Sequence, residues 1–367
     1  MGRRCGVKNI LSKIKIGLSK DKFSVGLDIG SSRIKVVKLK LLKDQVELCG
    51  FDIEPSRLEL GEALKHILER HSGDLVNISV SGQQSVIRYV NFPRMDNAEL
   101  RQALKFEAQK HIPFSAAEVN LDGCILKDGL PDNKMLVLIA AVKKDLANQR
   151  LKLIEGLGCR ANIIDIDSIA LANAFNFNYP VEEGQDHKAI ALLNIGASMS
   201  NLDILDAGIP RLSRDIHIAG NTFTQKIADI FGLDFANAEN LKINPVRNTT
   251  QISVNTIVSN GVNPDDERLN KINAGVESAL VSLAGEIRTS FDYYESQGSS
   301  NVGKIFLSGG GAKFAGLKDM LAHLLSIEVE YWDPFKKIKI PDNIDAEKLK
   351  NSLGELGVAV GLALRNN

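Results

Sequence analysis

The sequence predicts an α/β fold of two related lobes, with a small βαββα module inserted into the first. Three observations carry this expectation. A strand, a D/N-I-G turn with a serine-bearing tip, and a second strand occur twice, at 23–41 and 189–207. The turns align as Asp28-Ile29-Gly30-Ser31-Ser32 and Asn194-Ile195-Gly196-Ala197-Ser198, and duplication about half a chain apart implies two lobes that face one another. Between the copies, 85–159 alternates strand and helix signals densely enough to form a module of its own. Late in the chain, Ser308-Gly309-Gly310-Gly311-Ala312 follows one strand signal and precedes a helix.

The elements follow in order. Residues 1–22 carry seven basic residues against one acid, interleaved with Ile10, Leu11, Ile14, Ile16 and Leu18. This segment reads either as a membrane-surface or partner-binding stretch or as a solvated basic tail. Strands are expected at 23–29 and 34–41, a helix at 62–70 and strands at 76–80 and 85–92. A helix at 97–111 opens with Asp96 as N-cap and is stopped by Pro113. Strands at 119–126 and 135–142, a helix at 145–156, a strand at 161–166 and a helix at 168–176 complete the first half. A polar linker at 181–186 leads to strands at 189–194 and 202–207. Helices are expected at 222–231, 236–242 and 276–296, with a polar loop at 244–270. A strand at 302–308, a helix at 317–325 and a small-residue helix at 346–365 close the chain.

These elements divide into a basic tail (1–22), a first lobe in two parts (23–84 and 161–186) and an inserted module (85–160). A second lobe (187–345) carries a subdomain at about 220–275, and a C-terminal helix (346–367) packs on the first lobe. A length of 367 residues suits two compact lobes.

Composition narrows the function classes. Lys plus Arg and Asp plus Glu both number 45, which argues against a generally basic nucleic-acid binder. Without residues 1–22, the body keeps 38 basic against 44 acidic residues. The neutral total is thus an average over unlike parts, and peripheral membrane association through the basic segment is compatible with it. No apolar run approaches the ~18–20 residues of a membrane-spanning helix. Cys5, Cys49, Cys124 and Cys159 form no CxxC, and no two of the six His have ligand spacing on a helix. Neither a zinc site nor a disulfide framework is expected. No secretory signal is evident, so a cytoplasmic location is the expectation.

The turns carry the chemistry. A Gly- and Ser-tipped hairpin directs backbone N–H groups at one anion, and two opposed hairpins would clamp a polyphosphate. Lys35 supplies a point charge to such phosphates, and Asp28 suits Mg²⁺ held through water. The glycine loop at 309–311 lets backbone approach a nucleotide closely, or simply joins strand to helix.

Two phosphate hairpins and a late glycine loop resemble the three-part signature of the actin-like ATPase superfamily. Arg88-Tyr89-Val90, Phe92-Pro93, Glu99-Leu100-Arg101-Gln102-Ala103-Leu104-Lys105-Phe106-Glu107-Ala108 and His111-Ile112-Pro113-Phe114 resemble, more narrowly, the type IV pilus assembly protein PilM family. That family places this helix and its I-P-F exit in a small module shared with the cell-division protein FtsA. The resemblance implies an actin-like two-lobed fold with ATP and Mg²⁺ in the cleft. By motif, Asp28, Gly30, Ser31, Ser32 and Lys35 would form the first phosphate loop and Gly196, Ala197 and Ser198 the second. Gly309, Gly310, Gly311 and Ala312 would line the adenosine pocket, and Glu239 and Lys242 would reach ribose and base. Without the family, Glu239 and Lys242 read as an i,i+3 ion pair on a solvated helix. Asp167 positions attacking water on one reading and caps a helix on the other.

One departure stands out. Family members usually carry Asp where this chain has Asn194, so Mg²⁺ positioning is weakened and hydrolysis is expected to be slow or absent. The implied function is a cytoplasmic ATP-binding scaffold at the inner face of the cytoplasmic membrane. Its partner would be the N-terminal peptide of a PilN-type inner-membrane protein, held near the inserted module, with self-association left open. Two alternatives are a superfamily small-molecule kinase and an FtsA-like filament-forming division protein.

Overall fold

The computed structural model describes residues 22–56, 60–71, 75–181, 188–243, 264–297 and 300–365. The basic segment up to residue 21, all but the first residue of the 181–186 linker, and 244–263 of the polar stretch lie outside them.

The first repeat folds as a meander of β1 (Lys22–Ile29), β2 (Arg33–Leu41) and β3 (Val46–Pro55). β3 escapes the sequence pattern because a bulge opposite Lys38/Leu39 shifts its register, leaving buried Leu48 and Phe51 three apart. Helix α1 (Leu60–His71) crosses to β4 (Leu75–Val80), parallel to β1.

The inserted module follows as β5 (Ser85–Pro93), α2 (Asn97–Glu107), β6 (Val119–Leu130), β7 (Lys134–Lys143) and α3 (Lys144–Glu155). Its strands pair antiparallel in the order β5-β7-β6, the βαββα arrangement expected. The Asp96 carboxylate accepts from the amides of Ala98 and Glu99, and Glu99 accepts from the Asp96 amide, a complete capping box. The helix ends at Glu107, earlier than expected, and tightens into a 3-10 turn at Ala108–Lys110. Leu100 and Leu104 bury against Met135, Val137 and Ile139.

β8 (Arg160–Ile166) returns parallel to β4 and gives a first sheet ordered β3-β2-β1-β4-β8. Helix α4 (Asp167–Asn178) leads to the second repeat: β9 (Ala189–Ile195), β10 (Ser200–Asp206) and β11 (Ile209–Ile216). β11 is hidden in the sequence by Pro210 and by a two-residue turn, Ala207-Gly208, with φ of 49° and 74°. With β12 (Val302–Ser308) and β13 (Glu328–Tyr331) the second sheet reads β11-β10-β9-β12-β13. Both sheets are an antiparallel meander extended by two parallel strands, so the repeat is a duplication of whole lobes.

Helices α5 (Gly220–Phe231), α6 (Phe235–Ile243), α7 (Pro264–Ser296) and α8 (Leu317–Leu325) belong to the second half. α7 takes in 264–270, expected as loop. The single helix expected at 346–365 is broken into α9 (Ala346–Ser352), a 3-10 turn at Leu353–Glu355, and α10 (Gly357–Ala363). α10 sits so close to its neighbours that a Cβ on Gly361 would lie 1.8 Å from the Ala170 carbonyl oxygen. One on Gly26 would lie 2.1 Å from that of Ala359. Small residues are required there because backbones, not side chains, make the contact. One apolar cluster, including Leu171, Phe175, Leu192, Leu205, Trp332 and Leu362, joins the two sheets. Among the described residues no helix is long and apolar enough to cross a membrane.

Candidate functional site

The two repeated hairpins meet tip to tip. In the first, the Gly30 amide donates to Arg33 O (3.1 Å), and a Cβ at Gly30 would lie 2.9 Å from both Arg33 O and Lys35 Nζ. In the second, the Gly196 amide donates to Met199 O (3.0 Å), and a Cβ would lie 2.6 Å from that oxygen. Both turns therefore demand glycine for the same reason. Ser31 Oγ, exposed at the first tip, lies 2.9 Å from Ser198 Oγ at the second.

At one register position below each tip sits a polar cross-strand pair. Asp28 faces Lys35 between β1 and β2, and Asn194 faces Asn201 between β9 and β10. Lys35 Nζ donates to Asp28 Oδ2 at 2.9 Å. Burial alone would lower the Lys35 pKa, but the charge and hydrogen bond of Asp28, with Glu355 and Asp167 nearby, raise it. In the second hairpin the charges are gone, and Asn194 Nδ2 donates to Asn201 Oδ1 at 3.2 Å.

Asp167, the first residue of α4, comes close enough to feel Asp28. Burial and the Asp28 charge push its pKa up to about 6, against the Ser79 and Ser81 hydroxyls and Lys35. It makes no N-cap hydrogen bond, because Ile166 occupies the cap position. Asp167 is therefore the acidic residue of the helix's first turn, where a carboxylate favours the positive end of the helix dipole, and not the N-cap itself.

The glycine loop lies flush against the second hairpin. Gly309 has φ of +97°, its amide donates to Gly354 O (2.6 Å), and a Cβ there would fall 2.2 Å from Ile195 O. A Cβ on Gly311 would fall 2.8 Å from Gly196 O. Gly310 is exposed, its nearest neighbour the Glu355 carboxylate. Ala312 is 1% exposed and packs into the second-lobe core, away from any open surface.

Glu239 and Lys242 do form the i,i+3 pair (2.6 Å), but not on a solvated face. Lys242 is buried and donates to Thr224 Oγ1 (2.8 Å) and Gly220 O (3.1 Å). The Gly220 amide in turn donates to Gly196 O (3.0 Å), which ties α6 through α5 to the second hairpin. The Asn221 amide donates to Ala197 O (2.7 Å).

Two acidic groups were missed from the sequence. Glu355, in the 3-10 turn before α10, accepts from Arg33 Nη1 (3.4 Å) and Lys313 Nζ (2.5 Å), joining the first hairpin to the residue after the glycine loop. Asp203, on β10, is 1% exposed. Burial pushes it up to about 7, the Ser213 and Ser168 hydroxyls pull it down, and Asp215 and Asp167 add to the rise. No spacing marks Glu355, but extending the repeat seven residues past Asn194 would have found Asn201 opposite it, where the first copy has Lys35.

Two hairpins, a glycine loop and a Glu–Lys pair whose lysine is buried thus converge between matched lobes. The family model for type IV pilus assembly protein PilM matches residues 26–249 and 277–367. The chain belongs to the PilM family. Among solved structures it is similar to a PilM–PilN type IV pilus biogenesis complex, with 25% identity and a TM-score of 0.77. That match covers 93% of this chain and 98% of the other. It is also similar to the cell division protein FtsA of Borreliella burgdorferi, 22% identical over 375 residues, covering 90% of this chain and 89% of the relative. The ethanolamine utilization protein EutJ of Carboxydothermus hydrogenoformans shares the fold at 12% identity, with a TM-score of 0.51 and 98% coverage of each chain. The PilM-family chain has the actin-like two-lobed ATPase fold, with the βαββα module inserted in its first lobe.

Proposed function

We propose that this PilM-family chain is a nucleotide-binding scaffold of type IV pilus assembly at the inner face of the cytoplasmic membrane. ATP would lie between the lobes, and the N-terminal peptide of a PilN-type inner-membrane protein would be held near the inserted module. The observation that carries the nucleotide half is the convergence of Gly30, Gly196 and Gly309–311, at four of which an added Cβ would meet backbone within 3.0 Å. Such close-set backbone suits polyphosphate and adenosine better than side chains would.

The residues fit the group. Gly30, Ser31, Ser32, Gly196, Ala197 and Ser198 would hold phosphates, and Gly310 and Gly311, with Glu239 and Lys242, would lie toward the nucleoside. Asp28 and Asp167, close enough for Asp167 to feel the charge of Asp28, would offer Mg²⁺ carboxylates alongside waters and phosphate oxygens. Mg²⁺ would supply charge neutralisation of the phosphates when bound. Lys35 would turn from Asp28 toward phosphate, and Asp28 would then face the cation. Asn194 adds no charge at the second hairpin, which supports slow turnover or none.

The partner half rests on the family and on the PilM–PilN complex the chain resembles. The inserted sheet has β6 at one edge, and Phe106 on its helix is 76% exposed. An extended peptide adding to such an edge is an ordinary recognition mode.

Titration with a fluorescent ATP analogue tests the first half: Lys35→Ala should weaken binding at least about tenfold. Unchanged affinity would remove the cleft assignment. Capture of a synthetic PilN-type N-terminal peptide tests the second half. No binding with or without Mg-ATP would end the scaffold reading.

A further inference from the structure

Asn194, which stands in the second repeat where the first has Asp28, sits inside a hydrogen-bond relay that crosses between the lobes. Its Nδ2 donates to Asn201 Oδ1 (3.2 Å), and Asn201 Nδ2 donates to Asp215 Oδ1 (2.7 Å). Asp215 Oδ2 accepts the backbone amide of Gly82 (3.1 Å). Ser308 Oγ, at the end of β12, is 3.5 Å from Asn194 Oδ1. The relay therefore starts beside the glycine loop, passes through three second-lobe side chains and ends on the first lobe. Gly82 is where it ends, at φ +89°, and its carbonyl accepts from both the amide and the hydroxyl of Ser85, the first residue of β5. This is the root of the inserted module. A second tie, Tyr89 Oη to Ser213 Oγ (2.8 Å), joins the same strand to β11.

The relay has a fixed direction. A carboxylate only accepts, so Asn201 must turn its NH₂ toward Asp215 and its carbonyl toward residue 194. Residue 194 must then donate, which Asn does and Asp cannot. Asn201 is 5% exposed, so water does not readily repair a mismatch there.

We propose that Asn194 is a positioning residue, fixed as an amide because it closes a one-way relay that latches the second phosphate hairpin to the root of the inserted module. On this reading the amide at 194, where the first repeat carries the Asp28 carboxylate, is the counterpart of the Asp215 carboxylate at the other end of the relay. The relay is a property of this chain's own geometry and does not depend on nucleotide or peptide binding.

Its direction makes an asymmetric prediction. Asn194→Asp places acceptors at both ends of one amide that can satisfy only one of them. Asp215→Asn is tolerated, because the amide introduced there still offers its carbonyl to Gly82, and Asn194 and Asn201 are free to turn over. In the double variant Asn194→Asp/Asp215→Asn the two side-chain links reverse, 215 donating to 201 and 201 to 194, while the Gly82 amide donates to residue 215 as before. Every group is again paired, and net charge is unchanged.

The test is hydrogen exchange at the Gly82 amide in the full-length, nucleotide-free chain. Asn194→Asp should speed exchange about tenfold, while Asp215→Asn and the double variant should stay within about twofold of wild type. Unchanged exchange in Asn194→Asp, or a double variant no better protected than Asn194→Asp, would overturn the proposal. Should Asn194→Asp fail to fold, a folded double variant with wild-type protection supports the relay, and an unfolded one overturns it. A wild-type chain that binds neither ATP nor the peptide, with the rescue intact, would instead fault the proposed function alone.

Discussion

Ser31 Oγ and Ser198 Oγ, 167 positions apart in sequence, lie 2.9 Å from one another across the cleft. The contact closes the gap between two hairpins that are copies of one element, at the place where phosphates would have to enter. Replacing both with cysteine puts two thiols at bridging distance. We expect Ser31→Cys/Ser198→Cys to cross-link under mild oxidant, read as a mobility shift that the wild-type chain, with its native cysteines, does not show. Saturating Mg-ATP should slow the cross-link several-fold by parting the tips. Equal rates with and without nucleotide would place the phosphates elsewhere.

Lys35 and Asp28 are both largely buried, with side chains 16% and 10% exposed. Removing the lysine takes away the cation that pairs with Asp28 and offsets the nearby Asp167. Lys35→Ala should therefore cost stability as well as ligand affinity, on the order of 3 kcal/mol in denaturant unfolding. Lys35→Ala/Asp28→Asn, which removes the stranded charge, should recover much of that stability but none of the affinity. Recovery of both would mean that Lys35 serves only the fold.

Asp203 and Asp167 give the fold a pH dependence of definite sign. Each carboxyl binds its proton more tightly folded, at about 7 and about 6, than at the ordinary 3.8. Ionisation therefore favours the unfolded chain: this contribution is fullest below about pH 4 and is lost as pH rises through 6 and 7. Thermal unfolding should show a falling Tm across that window. Asp203→Asn should flatten it, raising Tm at pH 8 and leaving it nearly unchanged at pH 4. A variant whose profile parallels wild type would remove Asp203 as the cause.

What the sequence disclosed follows from which signals are local. The paired glycine- and serine-bearing tips, the Asp96 capping box and the unbroken apolar run of β7 are each written in a few consecutive residues, and they led to two lobes and an inserted module. β3 and β11 were lost because a bulge and a proline break the period on which strand recognition rests. The break at Leu353–Glu355 went unseen because the small residues that stop the helix there are also those that suit its close packing. The motif residues Gly30, Gly196, Gly309 and Gly311 were legible, since glycine at a turn announces itself. Carrying the repeat on to the position of Lys35 reaches Asn201, but Asp215 and Glu355 were not legible, because each acquires its meaning from a partner on another element. Lys242 shows the same limit: its spacing from Glu239 was plain, while its burial against Gly220 depends on how α5 and α6 pack.

Glu355 is the group through which cleft opening should be adjustable. Its carboxylate is 3% exposed and bridges Arg33, which opens β2 in the first hairpin, and Lys313, which follows the glycine loop. The two cations come from opposite lobes, and Glu355 itself lies on the turn leading into α10, the helix wedged between β1 and α4. Substituting Glu355→Gln keeps the shape but removes the charge that draws both cations inward. The lobes should then part more readily, at a stability cost of roughly 1–2 kcal/mol, the solvent-exposed halves of Arg33 and Lys313 limiting the loss. Placed in the Ser31→Cys/Ser198→Cys background, Glu355→Gln should slow cross-linking in the absence of nucleotide. Arg33→Gln should do the same, because it cuts the first-lobe arm of the bridge, whereas Lys65→Gln, on the exposed face of α1, should not. A cross-linking rate unaltered by either cleft substitution would show that the closed arrangement is held by the apolar cluster around α10 alone.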